Sequence, residues 1–244
     1  MKRIHLQRIH PLILATIAAL PLAAAEPALT GFPFTDETLH YSLNWPSGLS
    51  LGTASLTARK TSGGWSFNVA LDAAVPGFAI ADKFRASAGP TPELCSAELA
   101  RDFSHGGKKT RAKITFDQKA GTAHRVTMVP DEGGESNLNI PSCARDAVAF
   151  AYYARKELGQ GRVPQPQQVF LGAGYSVRMD YTGAQNITLG ESKEPIVTDH
   201  VAVTVKGPKA DFVFEVFFAR DAARRPLVVK IPLSLGMLSL ELVR

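Results

Sequence analysis

Cysteine is almost absent: Cys95 and Cys143 are the only two in 244 residues. That excludes a disulfide-dense small scaffold, and two thiols fall short of the four ligands of a structural zinc site. Histidine is also sparse. Beyond the first ten residues only His40, His105, His124 and His200 remain, and none has the i, i+4 or H-x-H spacing of a metal site. Their neighbours are polar, so they read as surface residues. Asp199-His200 is the single adjacent acid–histidine pair, and on a strand the two point to opposite faces. No metal or cofactor is expected. Internal repeats and low-complexity linkers are missing, and no second long apolar run follows the N-terminal one. The length after processing suits one β domain, residues 26–244.

An excess of one charge sign is also lacking once the N-terminus is considered. Lys2, Arg3 and Arg8 precede an uncharged apolar stretch from Pro11 to Leu22, and Ala23-Ala24-Ala25 offers a small-residue cleavage site. This is the pattern of a secretory signal over residues 1–25, and the stretch is short of the roughly 20 residues a membrane span needs. No cysteine follows the cleavage point, so lipoprotein processing is not expected. The whole chain carries 27 Lys+Arg and 22 Asp+Glu; the signal takes three basic residues and leaves 24 against 22. A nucleic-acid function argued from net charge therefore fails. The expected location is the periplasm, with no transmembrane segment in the mature chain. In that oxidising setting Cys95 and Cys143 pair most simply as one disulfide. It closes a loop of about 49 residues and contributes roughly 4 kcal/mol in the chain-entropy account. A free catalytic thiol is the competing reading, and no His or Asn pattern of a cysteine hydrolase accompanies it.

What the chain has in abundance is period-two alternation. Leu39, Tyr41, Leu43 and Trp45 alternate with polar residues, as do Trp65, Phe67, Val69 and Leu71. Ala112, Ile114 and Phe116, then Tyr175, Val177, Met179 and Tyr181, and finally Leu227, Val229, Ile231 and Leu233 repeat the pattern. Each is a strand with one buried face. One-sided strands joined by turns such as Ser62-Gly63-Gly64 and Lys119-Ala120-Gly121 indicate an all-β, mainly antiparallel fold. One segment differs: Ala147, Phe150, Ala151, Ala154 and Leu158 recur at helical spacing. Ser142 or Asp146 can cap this short helix, and Gly159 or Gly161 can end it. The disulfide would fasten its start to the strand carrying Cys95. One helix cannot cover so many strands, so the sheet is expected to curve strongly and close on itself, as a curved sheet or incomplete barrel.

Several patterns were weighed for chemistry. Gly48-Leu49-Ser50-Leu51-Gly52 matches the G-x-S-x-G nucleophile elbow, which requires a strand, a turn and then a helix. Here strand-type runs flank it, so a hairpin turn is expected instead. Lys108, Lys109, Arg111 and Lys113 form a basic run that reads as a solvated strand face, or as a contact for anionic envelope material. Asn186-Ile187-Thr188 fits a glycosylation acceptor, which has no meaning in a bacterium. The strand Phe212 to Phe218 is apolar on both faces apart from Glu215; one face is core, and on the other Val213 and Phe217 could pack under the helix or line a groove, with core packing favoured. Asp117, Asp180, Glu191 and Asp199 are scattered, with nothing to pair them as a glycosidase would.

The stretch Asp36 to Trp45, followed by Gly48 and Leu51-Gly52-Thr53-Ala54, resembles the opening of domain of unknown function family 3108. Ile114-Thr115-Phe116-Asp117, the helix Asp146 to Arg155, and the stretch Asp221 to Pro226 with Leu235-Gly236 and Leu240 resemble later parts of the same family. Asp36-Glu37 stands where the family commonly has Gly-Glu, a turn variation. Order and spacing carry the match across nearly all of the mature chain. The resemblance implies an exported bacterial protein with a curved β fold, analogous to lipoprotein carriers, and hence an apolar ligand. It brings no catalytic residues.

The expected function is therefore a non-enzymatic binder of an apolar or amphipathic envelope component, with Tyr41, Trp45, Phe67 and Phe214 as candidate lining. An assembly factor that binds another envelope protein is the alternative, and a glycan-acting enzyme is a third.

Overall fold

The alternating segments become strands in the computed structural model. It describes residues 35–243 apart from 76–77, 91, 129–133, 191, 193, 209–210 and 234–235. The expected secretory signal and its cleavage site lie outside the described residues. In chain order the strands are β1 (Glu37–Asn44), β2 (Ser50–Thr61), β3 (Gly64–Val75), β4 (Phe78–Ala88), β5 (Ser96–His105), β6 (Lys108–Asp117), β7 (Thr122–Thr127) and β8 (Gly134–Asn139). Then come β9 (Arg145–Asp146), the helix α1 (Ala147–Gly159), β10 (Gln167–Phe170), β11 (Gly174–Ile187) and β12 (Ile196–Lys206). The last three strands are β13 (Asp211–Ala219), β14 (Pro226–Leu233) and β15 (Gly236–Leu242).

All belong to one sheet, in the order β8-β7-β6-β5-β4-β3-β2-β1-β15-β14-β13-β12-β11-β10-β9. Two antiparallel meanders thus meet where β1 pairs with β15, Tyr41 opposite Leu242. Only β9 and β10 run parallel. The expected closure does not occur: the sheet ends at β8 and β9. It curls around α1 instead. One face of the helix, with Val148, Ala149 and Tyr152, packs against Phe67, Leu99 and Ile114 from the first meander. The opposite face, with Phe150, Ala154 and Leu158, packs against Val177, Val201 and Val216 from the second. A helix placed between the two arms buries both apolar surfaces, so the sheet can remain open.

The entry to α1 is tied down by a disulfide and a set of hydrogen bonds. Cys95 and Cys143 form a disulfide with Cα atoms 4.7 Å apart. Next to it, Ser96 N–H donates to the Ala144 carbonyl at 2.9 Å. The Gln118 side chain donates to the Ser96 and Ala144 carbonyls and accepts from Ala144 N–H. Of the two cap candidates Asp146 serves: Oδ1 accepts from Val148 and Ala149 N–H, satisfying two orphan donors of the first turn. Its Oδ2 accepts from the Ser96 hydroxyl, which in turn accepts from Asp146 N–H. The helix ends at Gly159, with Gly161 beyond it in left-handed geometry at φ +76°.

Other expectations resolve locally. The Gly48–Gly52 motif is a hairpin turn: Gly48 sits at φ +83°, Trp45 N–H donates to the Leu49 carbonyl at 2.9 Å, and strand β2 follows. Without a helix after Ser50 there is no nucleophile elbow. The basic stripe on β6 is partly neutralised by its neighbour β5, with Arg111 on Asp102 at 2.9 Å and Lys113 on Glu98 at 2.6 Å. Phe217 is core, as favoured, but not under the helix. It lies on the convex face with Leu189, Leu227 and Val228, where it stacks on His200 at 4.4 Å, so His200 is largely covered rather than on the surface. Val213 is exposed.

Two predictions follow from the helix entry. Reducing the disulfide, or replacing both cysteines by alanine, removes a crosslink spanning 48 residues. Urea unfolding should show a loss of about 4 kcal/mol; an unchanged midpoint would show that the hydrogen bonds around Gln118 suffice. The second concerns pH. Burial raises the Asp146 carboxyl to about 6, against the opposing pull of its hydrogen bonds to Ser96 and to backbone N–H groups. The folded state therefore holds this proton more tightly than the unfolded chain. The resulting stability is complete below about pH 4 and is lost as pH rises through about 6. Asp146→Asn keeps an acceptor for the cap and abolishes the titration. Melting curves from pH 4 to 7 should show the wild type losing ground to the variant by up to about 3 kcal/mol.

Candidate functional site

Along α1, Ala147, Ala151 and Ala154 stand where longer side chains would meet the second arm of the sheet. Opposite them, β11 presents Tyr175, Val177 and Met179, and β12 presents Val203 and Val205. Strand β13 adds Phe212, Phe214, Val216 and Phe218. Register places all of these on one face: Val177 faces Val205, Met179 faces Val203, and Val203 faces Phe214. Because alanine is short, the helix and sheet surfaces do not meet along their whole length, and a cavity of about 430 Å³ remains between them. That lies within the range of about 300–1,000 Å³ typical of small-molecule sites.

The two ends of the cavity differ. Ala151 is exposed although Phe150 and Tyr152 on either side are buried, and Phe212 is 40% exposed. Tyr175, Val205 and Phe212 all lie where β11 and β13 begin and β12 ends, so this is the end that meets solvent. The far end is buried and holds the one charged residue of the lining, Arg155. Its guanidinium grips Glu37 with both Nη atoms, at 2.6 and 2.9 Å, and donates to the Ala223 carbonyl at 2.9–3.0 Å. A bidentate pair with a carbonyl on the third side leaves the charge matched where it is buried. Tyr41 reinforces this end by donating to the Pro226 carbonyl at 2.9 Å, and burial holds its hydroxyl well above the usual tyrosine range.

Of the four candidate lining residues, only Phe214 lines the cavity. Phe67 is fully buried beneath Tyr152, their rings stacked at 4.5 Å, so the helix itself covers the face that would have met a ligand. Tyr41 packs with Leu39 and Ala54 near the seam between the meanders. Trp45 packs with Leu43, Leu51 and Ala73 further along the same strands. All face the same side of the sheet as Phe214, yet the helix leaves space only over the second arm. The sequence reading missed the residues that make the space: the alanines of α1. Their i, i+4, i+7 spacing was visible, but it reads equally well as a closely packed helix face.

The acidic residues considered for hydrolysis are occupied individually. Asp117 accepts from the N–H groups of Lys119 and Ala120. Asp180 pairs with Arg178 at 2.9 Å, and Asp199 is held by Arg224 and Arg220. Glu191 is outside the described residues. Among the described residues, no three His, Cys, Asp or Glu side chains are grouped to hold a metal ion, and no helix is long and apolar enough to cross a membrane.

Fold and site thus define a class: a curved, open β-sheet that clasps one helix and leaves an apolar cavity beside it. The chain belongs to the family described as protein of unknown function (DUF3108), whose profile matches residues 38–243. No curated protein and no solved structure matches it.

The buried ion pair gives a direct test of how the cavity is held. Glu37→Gln leaves Arg155 buried without its carboxylate. Denaturant unfolding should register a loss of about 2–4 kcal/mol. A loss below about 0.5 kcal/mol would mean that solvent reaches the pair and screens it.

Proposed function

We propose that this protein is a non-enzymatic carrier that binds the apolar part of an envelope component in the cavity beside α1, working in the periplasm after export. The observation that carries the reading is the cavity: about 430 Å³, open at one end, apolar along its length and closed at the other by an ion pair already satisfied within the protein. Such a space gains by exchanging water for hydrocarbon. It offers no paired carboxylates, nucleophile or metal-binding group to act on a substrate. The Cys95–Cys143 disulfide suits an oxidising compartment.

Native mass spectrometry of the mature protein, gently released from a periplasmic extract, should show a stoichiometric adduct that extracts into organic solvent. The neutral apolar fluorophore N-phenyl-1-naphthylamine should bind with one-to-one stoichiometry. Ala151→Trp should weaken it by about tenfold or more by filling the cavity near its mouth, with little change in Tm because Ala151 is exposed. A bare polypeptide mass together with no fluorophore binding would rule out the carrier and favour a protein partner.

A further inference from the structure

The concave face of the first arm is apolar except at a few positions. By register, Leu99 on β5, Ile114 on β6 and Phe84 on β4 point inward, and two arginines share that face. Arg101 stands opposite Phe84 and Ala112, while Arg125 on β7 stands opposite Ile114. They therefore flank β6 diagonally. Both reach the tight turn between β10 and β11: Arg101 Nη1 donates to the Leu171 carbonyl at 3.3 Å and Arg125 Nη1 to the Gly172 carbonyl at 2.8 Å.

Neither has a counter-ion among the described residues: no carboxylate forms an ion pair with Arg101 or Arg125, and the Nε of each is buried without a hydrogen-bond partner. Asp82, the acid on the same face of β4, is taken by His105 Nε2 at 2.7 Å. Burial, and then the neighbouring charge of Arg125, hold the Arg101 guanidinium below its ordinary pKa. Two like charges drawn together in partly buried surroundings raise the free energy of the empty protein. A brace for the turn would need only neutral donors. The approach is also built in: Gly172 sits at φ +83°, and a Cβ there would lie 2.5 Å from Arg101 Cζ.

The turn places the pair relative to the cavity. Leu171 and Tyr175, on either side of it, line the cavity at its open end. We propose that Arg101 and Arg125 form an anion site at the cavity mouth that receives a phosphate group, so that the ligand is an amphiphile with its tail beside α1 and its phosphate between the two guanidiniums. This deepens the carrier reading and rests on it for the tail alone. Two guanidiniums match a dianionic phosphate in charge, and their remaining N–H groups suit its several oxygens. Arg155 cannot compete, because Glu37 already holds it at the closed end.

Titration calorimetry of the mature protein with dodecyl phosphate, dodecanol and inorganic phosphate separates head from tail. Dodecyl phosphate should bind about 10- to 100-fold more tightly than dodecanol, and the advantage should shrink with added salt. Arg101→Gln with Arg125→Gln should erase that advantage and leave dodecanol binding unchanged. Arg125→Lys, which keeps a cation, should retain part of it. The wild-type comparison needs no variant, so a double variant that fails to fold does not blunt the test. Equal affinity for dodecyl phosphate and dodecanol would overturn the anion site while leaving the cavity reading intact. Arginine-dependent binding of inorganic phosphate with no gain from the alkyl chain would support the site for a free anion and overturn the cavity reading. Binding of neither phosphate would overturn the site.

Discussion

Everything in this molecule depends on a single helix being held inside a sheet that does not close. A sheet with one apolar face must bury it, and fifteen strands without a second layer would leave most of that face in water. α1 solves this by presenting different faces to the two arms. The cost falls on its first turn, which is buried with its N–H groups unsatisfied unless something caps them. Asp146 caps them, and Ser96, Gln118 and the disulfide hold that cap in place by joining the helix entry to β5 and β6.

Once the helix is fixed at that end, its side chains decide where the interior is full and where it is empty. Tyr152 fills the space above Phe67, so the first arm is packed solid near the helix. Ala147, Ala151 and Ala154 leave part of the second arm without a packed neighbour, and the cavity follows. The charged groups near the two ends of the cavity differ. Arg155 is matched by Glu37 deep in the fold, while Arg101 and Arg125 sit unmatched near the mouth. On the proposed reading, a cavity with a neutralised floor and two arginines at the turn beside its mouth would suit a molecule whose two ends differ in polarity.

Much of the fold was legible in the residues themselves. Period-two alternation marks β1, β3, β6, β11 and β14, because a strand exposes alternate side chains to opposite environments. The helix, its Asp146 cap and the cysteine pair were legible for equally local reasons. Closure was not, because whether a curved sheet joins its edges or wraps around another element is a matter of how distant surfaces fit. The stripe of Lys and Arg on β6 looked like a positive surface because its acidic partners lie on β5, in register across a hairpin and not adjacent in the chain.

The sequence alone determined the strands, the one helix, the disulfide and the apolar side of the sheet, since each follows from spacing or from residue type. Tertiary structure alone decided which inward-facing residues meet a packed neighbour and which meet empty space. Tyr41, Trp45, Phe67 and Phe214 share the same local pattern, yet only Phe214 faces the cavity, because the helix crosses the sheet where its alanines lie opposite β13. It also decided that Arg101 and Arg125, 24 positions apart in the sequence, meet at one turn with no acid between them. Register across three strands brings their charges together, and no feature of either residue's neighbours in the chain announces it.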